Sequence, residues 1–476
     1  MRGERGTGVF DVIYTRRSIR NFDPTRKIPE DIKAKILDSA RYAPPSPLGE
    51  HPWRMIVVSD PTAKKLVADC AQEVSRTIFG GSFEAFFEHL WYMPPESRLR
   101  VAEYTTTGEL WRYPEDCDML IIPTVCKTDW GTGLAGILRY ITLTSIYQGF
   151  AAQNMWLTAS ALGVGAGYNA MPLNDARRRE IVATYLGIPH SWEPTGGFAF
   201  GYSPAIRASG PSRAPLEAIA YSEYWGNNYE RIAFRGGYEE IRIEQRDFFD
   251  VIKNLNMVES FEPGRVEDWM IERILDSAIW GPNPENFRHW RYIIIRDRAS
   301  KEFLYKLVSE KRHAPFYFTD MESQLSRLWF IEGEEERFRR LEEIIDRGVG
   351  EWYLEADVLI LPLAGMGWVD SAHTRYIVGG APPIFHIATG CCMQNIFIAA
   401  TALGLGFNYD PHLVHEIRYE ELLRDYFGIP HSWAPLGVIG IGIPGRKALL
   451  PPPPPLEKLF YEEYWGNPYS GKKAEI

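Results

Sequence analysis

The hexapeptide Gly187-Ile188-Pro189-His190-Ser191-Trp192 recurs residue for residue as Gly428-Ile429-Pro430-His431-Ser432-Trp433. The repetition extends in both directions at an offset of roughly 240 residues. Upstream, ALGVGAGY from Ala161 matches ALGLGFNY from Ala402, and Ile36-Leu37-Asp38-Ser39-Ala40 matches Ile274-Leu275-Asp276-Ser277-Ala278. Asn21-Phe22-Asp23-Pro24 and Asp11-Val12-Ile13 have counterparts in Ser260-Phe261-Glu262-Pro263 and Asp250-Val251-Ile252. Downstream, each copy closes with Pro-Leu-Glu (Pro215–Glu217, Pro455–Glu457) and Glu-Tyr-Trp-Gly-Asn (Glu223–Asn227, Glu463–Asn467). A chain of 476 residues is too long for one ordinary core. The repeat divides it into two domains, 1–228 and 247–476, joined where charge and glycine replace apolar periodicity between Asn228 and Arg246.

Each copy opens with a helix and a loop, then a helix ending at Ala-Pro or Gly-Pro, then an apolar strand, Met55–Val58 or Tyr292–Ile295. Second and third strands are expected at Leu120–Val125 and Phe198–Gly201, and at Val358–Leu363 and Val438–Gly442. An aromatic-rich helical excursion between the first two strands is a candidate lid: Phe83, Phe86, Phe87, Trp91 and Tyr92, against Phe316, Tyr317, Phe318, Trp329 and Phe330. The longest apolar stretches, Ile146–Tyr168 and Ile384–Gly406, approach membrane-spanning length but carry Gln153-Asn154 and Gln394-Asn395 at their middles. They read as buried helices whose small residues allow close approach about a pseudo-two-fold axis, as in a homodimer rebuilt within one chain. Interleaved strands and helices give an α+β (mixed α/β) class, with one sheet per copy.

A net charge of −10 and a pI near 5.6 argue against a nucleic-acid groove. Five cysteines, odd in number and unevenly spaced, suit a reducing cytosol better than a disulfide scaffold, and none forms a metal knuckle. The segment Met1–Gly8 shows neither a secretory signal nor a transit peptide.

Against this acidic background Arg16-Arg17-Ser18-Ile19-Arg20 stands out: three guanidinium groups and a hydroxyl within five residues, a set suited to a bound phosphate. The run Gly163-x-Gly165-x-Gly167 follows a helix and reads as its C-terminal turn, not as a dinucleotide fingerprint. His190 and His431 read as turn residues, and Glu332–Asp346 as the solvated face of a charged helix. Pro451–Pro455 reads as a stiff arm carrying the C-terminal segment around the other copy.

These motifs resemble those of the nitroreductase family of FMN-dependent oxidoreductases over nearly all of both copies. In that family an opening Arg-x-Ser-x-(Lys or Arg) run grips the flavin, a Pro-Ser-x-x-Asn-x-Gln-Pro-Trp loop comes from the other subunit, and a basic residue before Pro-Leu-Glu completes the phosphate site. The resemblance implies that Arg16 and Ser18, with Arg17 in the same run, hold the FMN phosphate and that Arg213 completes the cradle, Arg207 being a second candidate. It places Arg20, the catalytic candidate, near N1 and O2 of the isoalloxazine, and the backbone N–H of Ala170 or Met171 opposite N5.

The second copy departs from the pattern at the phosphate site. Leu255, Asn256, Met257 and Glu259 replace Arg16, Arg17, Ser18 and Arg20, and a proline run replaces Arg213. The partner-supplied loop shows the opposite bias. The second copy keeps its spacing in Gly281-Pro282-Asn283-Pro284-Glu285-Asn286-Phe287-Arg288-His289-Trp290, whereas Pro44–Trp53 is one residue longer and lacks the asparagine. One FMN per chain is therefore expected between the copies, its phosphate on copy one and one ring edge against Pro282, Asn283, Pro284 and Asn286. The implied activity is hydride transfer through flavin N5 in a ping-pong scheme, from NAD(P)H to a planar, electron-poor small molecule. The alternatives are a protein that sequesters flavin without turnover, or a specialised flavin dehydrogenase or dehalogenase of the same family. A monomer acting as an internal pseudo-dimer is expected.

Overall fold

A computed structural model describes residues 7–46, 49–81, 83–91, 93–127, 134–173, 175–204, 213–231, 245–284, 288–312, 325, 328–347, 350–365, 383–414 and 417–476. The first copy contributes β1 (Trp53–Val58), β2 (Met119–Cys126), β3 (Gly165–Asn169), β4 (Trp192–Pro194), β5 (Gly197–Gly201) and β6 (Ala220–Ser222). The second contributes β7 (Phe261–Glu262), β8 (Trp290–Ile295), β9 (Val358–Gly365), β10 (Gly406–Asp410), β11 (Trp433–Pro435), β12 (Val438–Pro444) and β13 (Phe460–Glu462). They form two mixed sheets flanked by helices, ordered β13-β1-β2-β5-β3 and β6-β8-β9-β12-β10, in an α+β fold.

The outermost strands are exchanged. β13 of the second copy pairs in parallel with β1 of the first (Met55 opposite Phe460), and β6 of the first pairs in parallel with β8 of the second (Ala220 opposite Tyr292). The repeated motifs explain how each arm is held. Trp465 donates its backbone N–H to Leu186 at 2.8 Å and its ring lies 5.0 Å from that of Trp192. Trp225 repeats this with Phe427 and Trp433, at 2.9 Å and 5.3 Å. Glu463, at a left-handed φ of 65°, accepts from the backbone N–H groups of Ser59 and Asp60, where the helix Pro61–Phe79 begins. Glu223 does the same for Arg296 and Asp297. A carboxylate at a helix start satisfies amides that lack intrahelical partners and complements the dipole, which offsets the roughly 1–2 kcal/mol cost of left-handed backbone. The Pro451–Pro455 arm runs past copy one, where Arg41 donates to the carbonyl oxygens of Pro454 (2.6 Å) and Pro453 (3.2 Å).

Two helices, Leu134–Ala161 and Pro383–Ala402, form the centre. A Cβ added at Gly149 would overlap the carbonyl oxygen of Ile387, and one at Gly390 that of Ile146, so backbone meets backbone there. Beyond this contact Gln153 Nε2 donates to Asn395 Oδ1 at 2.7 Å and Gln394 Nε2 to Asn154 Oδ1 at 2.9 Å, all four side chains fully buried. Asn154 and Asn395 pass the connection on to the carbonyl oxygens of Ser39 (3.0 Å) and Ser277 (2.8 Å). The segment Ile384–Ala402 is long and apolar enough to cross a membrane, but 94% of its apolar window is buried inside the protein.

The helices end earlier than the apolar pattern suggests. Gly163 and Gly404, with φ of 75° and 78°, close them, and the last residues of both apolar stretches enter β3 and β10. The glycine run is therefore both a helix stop and a strand. Its glycines hide the strand because they lack the β-branched or aromatic side chains by which strands are recognised.

Two measurements bear on this architecture. Gly149→Ala or Gly390→Ala should lower stability by about 1–3 kcal/mol through overpacking, seen as a lower melting temperature. Burial holds His51 and His289 down at about 3 and His386 at about 4, so all three are neutral in the folded protein at pH 7. Unfolded histidine titrates near 6.5, so unfolding takes up protons below that value and stability present at pH 7 is lost as the pH falls. The melting temperature should fall as the pH drops from 7 to 5; Asp276, raised to about 6 by burial, gains a proton in the folded state over the same range and offsets part of the loss. The free-energy slope there should approach about 1.4 kcal/mol per pH unit for each histidine once below its unfolded pKa.

Candidate functional site

The arginine run is positioned by the glycine strand. The helix Val9–Thr15 ends as the Arg16 backbone N–H donates to Val12 at 3.2 Å, and the chain continues extended along β3. Ser18 bridges to Ala166 and the Ile19 N–H donates to the Ala166 carbonyl at 2.8 Å. A side chain at position 167 would overlap the Ile19 carbonyl oxygen, so Gly167 is what allows this approach.

Arg16 is 4% exposed, and its Nη2 donates to the carbonyl oxygen of Trp280, in the second copy, at 3.0 Å. Arg17 donates to the carbonyl oxygens of Tyr14 (2.7 Å) and Arg16 (2.9 Å), and its guanidinium carbon lies 5.0 Å from the centre of the Trp280 ring. Arg213 lies 4.9 Å from the same ring. The Nε atoms of all three are buried without a hydrogen-bond partner. Among the described residues no carboxylate forms an ion pair with any of them. Burial, followed by repulsion from Arg213, lowers Arg16 to about 10; burial, followed by repulsion from Arg17, lowers Arg213 to about 10, and burial also lowers Arg17. Three crowded cations with orphaned donors make a site that a phosphate dianion fits.

Arg20 is exposed, next to the buried hydroxyl of Tyr113. At the end of β3 the Met171 N–H already donates to Asn169 Oδ1 at 3.0 Å, while Asn169 Nδ2 is tied to the Trp111 carbonyl at 2.9 Å. Of the two amides expected opposite a flavin N5, that of Met171 is thus engaged within the turn, and Ala170 precedes it, 6% exposed. The Met171 side chain packs against Ala71, Val74 and Phe79, with Phe86 and Trp111 alongside, so the aromatic excursion covers this end of the strand. Trp91, by contrast, is 75% exposed.

From the second copy, Gly281 lies so close to the helix Pro383–Ala402 that a Cβ would overlap the Cys392 sulfur. Pro282, Asn283 and Pro284 follow, partly buried, with Asn283 Oδ1 accepting from the Arg288 N–H at 2.8 Å. Arg207 and Asn286 lie outside the described residues. Trp280 was not among the residues singled out from sequence. The available signal was its position directly before the Gly-Pro of the retained loop, where copy one has Tyr42.

The corresponding place in the second copy is filled from within. Leu255 and Met257 pack against the core. Glu259, in the position of Arg20, is paired to Arg340 and, at 2.7 Å, to Arg446, and accepts from the Leu449 N–H at 3.2 Å. Arg340 belongs to the charged helix Glu334–Arg347, whose face is therefore not wholly solvated: at 9% exposure this side chain points inward. Arg340 and Arg446 also keep a buried Nε without a partner, but each has a carboxylate. In copy one the Ser46 N–H donates to the Glu50 carbonyl oxygen and the Gly49 N–H to that of Ser46, both at 2.8 Å, and a Cβ at Gly49 would come within 3.6 Å of Pro451 of the arm.

A sequence model of the nitroreductase family matches residues 13–112, 140–202 and 257–443, segments that fall in both copies. The chain is 39% identical over 61 residues to YdgI of Bacillus subtilis (strain 168), provisionally named an NAD(P)H nitroreductase, covering 13% of this chain and 29% of that protein. A Methanothermobacter thermautotrophicus protein, provisionally named an NADH dehydrogenase/NAD(P)H nitroreductase, is 23% identical over 206 residues, 43% of this chain and 82% of its own length. Among solved structures, a nitroreductase with bound FMN from Bacteroides fragilis is 22% identical, with a TM-score of 0.30, covering 43% of this chain and 95% of that one. NfrA2 of B. megaterium is 16% identical, with a TM-score of 0.33, over 44% and 72%.

Inorganic phosphate or sulfate should raise the melting temperature of the flavin-free protein. Arg16→Gln or Arg213→Gln should abolish most of that rise, and an equal rise in wild type and variants would place the anion elsewhere.

Proposed function

Because this chain belongs to the nitroreductase family, a family of oxidoreductases, we propose that it is an FMN-dependent oxidoreductase with one composite cofactor site per chain. The observation that carries this reading is the contrast between the two copies: three guanidinium groups without a carboxylate in the first, against two guanidinium groups balanced by Glu259 and Glu343 in the second. In this reading the two units, 1–228 and 247–476, have divided one ancestral pair of sites. Arg16, Arg17, Ser18 and Arg213 would hold the phosphate, and Pro282, Asn283, Pro284 and Asn286 would border the ring from across the interface.

Bound FMN would supply hydride transfer through N5 between an NAD(P)H donor and a planar, electron-poor acceptor. Arg20 would set the electrostatics at the pyrimidine edge, where a cation stabilises negative charge more strongly once substrate excludes water. The turn Asn169–Met171 would present a backbone N–H towards the reacting edge, held in place by the Asn169 hydrogen bonds. The helices that pack on Met171 would form the wall against which a flat acceptor stacks. The relatives' names support a nicotinamide donor.

Denatured protein should release one FMN per chain. Arg16→Ala should lose it, while Met257→Ala should retain it. Two flavins per chain would overturn the composite site. A bound flavin that neither NADH nor NADPH bleaches under nitrogen would favour sequestration over turnover.

A further inference from the structure

We propose that Trp280, in the second copy, is a positioning residue that sets how strongly the first copy binds the cofactor phosphate; the inference rests on the FMN reading above. The Trp280 ring lies 5.0 Å from the Arg17 guanidinium carbon and 4.9 Å from that of Arg213, and its carbonyl oxygen accepts from Arg16 at 3.0 Å. One residue therefore touches all three cations.

The three are not equally held without it. Arg17 is tethered to two backbone carbonyl groups of its own segment. Arg213 has no hydrogen bond to any described residue, and the face of Trp280 is its cation–π partner. Two like charges in a partly buried space repel and spread apart. The π system of an indole attracts cations, so Trp280 offsets part of that repulsion and holds both guanidinium groups beside it before the anion arrives. Tyr14 packs 5.5 Å from the Trp280 ring, and Gly281, the next residue, lies close against Cys392, so the indole is held from two sides. The equivalent Tyr42 of copy one lies beside Arg41, whose guanidinium is directed to the proline arm. The second copy thereby contributes phosphate affinity without supplying a phosphate ligand.

FMN and riboflavin differ only in the phosphate, so their affinity ratio isolates this effect from general damage to the fold. Titrations that follow flavin fluorescence with the flavin-free full chain should give a wild-type preference for FMN. In Trp280→Leu the FMN dissociation constant should rise about tenfold, with riboflavin affinity changed by less than about threefold, while Trp280→Phe should keep most of the preference. An undiminished preference in Trp280→Leu, whether both flavins bind as before or lose affinity equally, or a preference lost as fully in Trp280→Phe as in Trp280→Leu, would overturn the inference alone. A wild-type chain that binds FMN no better than riboflavin would overturn the phosphate-site reading itself, and with it this proposal.

Discussion

The backbone contact between Gly149 and Gly390 is the constraint from which the rest of the structure follows. Two helices can approach this closely only where neither carries a side chain, and the buried Gln153–Asn395 and Gln394–Asn154 hydrogen bonds then fix their register. Parting the helices would leave those amides buried and unsatisfied, at about 1–3 kcal/mol each. The same helix that carries Gly390 carries Cys392, against which Gly281 lies. That contact brings Trp280 over Arg17 and Arg213. Helix packing at the centre thus determines the electrostatics of a site at the interface.

Divergence of the copies is legible as chemistry. In copy one the arginines face one another without a counter-charge, which is unfavourable unless an anion is present. In copy two Glu259 and Glu343 supply the counter-charge internally, so Arg340 and Arg446 need no ligand. The loops differ in the reverse sense: Pro44–Trp53 is one residue longer than its counterpart and lacks the asparagine that the second copy keeps at Asn286.

Much of this was readable in the sequence, because a repeat fixes which segments are equivalent and the apolar runs at β1, β2, β8 and β9 are dense. The exchanged strands were not. Ala220–Ser222 and Phe460–Glu462 span three residues each, too short for alternation to emerge, and their partners lie in the other copy. Nor was the glycine strand β3 visible, since its pairing rests on the absence of side chains. For the site, the arginine run was conspicuous from its charge. Trp280 was not, because a lone tryptophan before a Gly-Pro pair acquires meaning only when folding brings Arg213 beneath it. Arg340 escaped notice for a similar reason: its neighbours on the helix pair with one another in solvent, and only the packing of Glu259 turns it inward.

Strand exchange also alters the order in which such a chain can reach its native state. β1 is complete early in synthesis, yet its outer neighbour and the carboxylate that caps the following helix arrive far later, Glu463 lying 404 residues beyond Ser59. Until then the first sheet has an open edge, the kind of surface that recruits other chains. The repeats seen in the sequence are not separate units of folding. Neither sheet can be finished from one copy alone, and high contact order makes closure a late, slow event after most of the chain has left the ribosome.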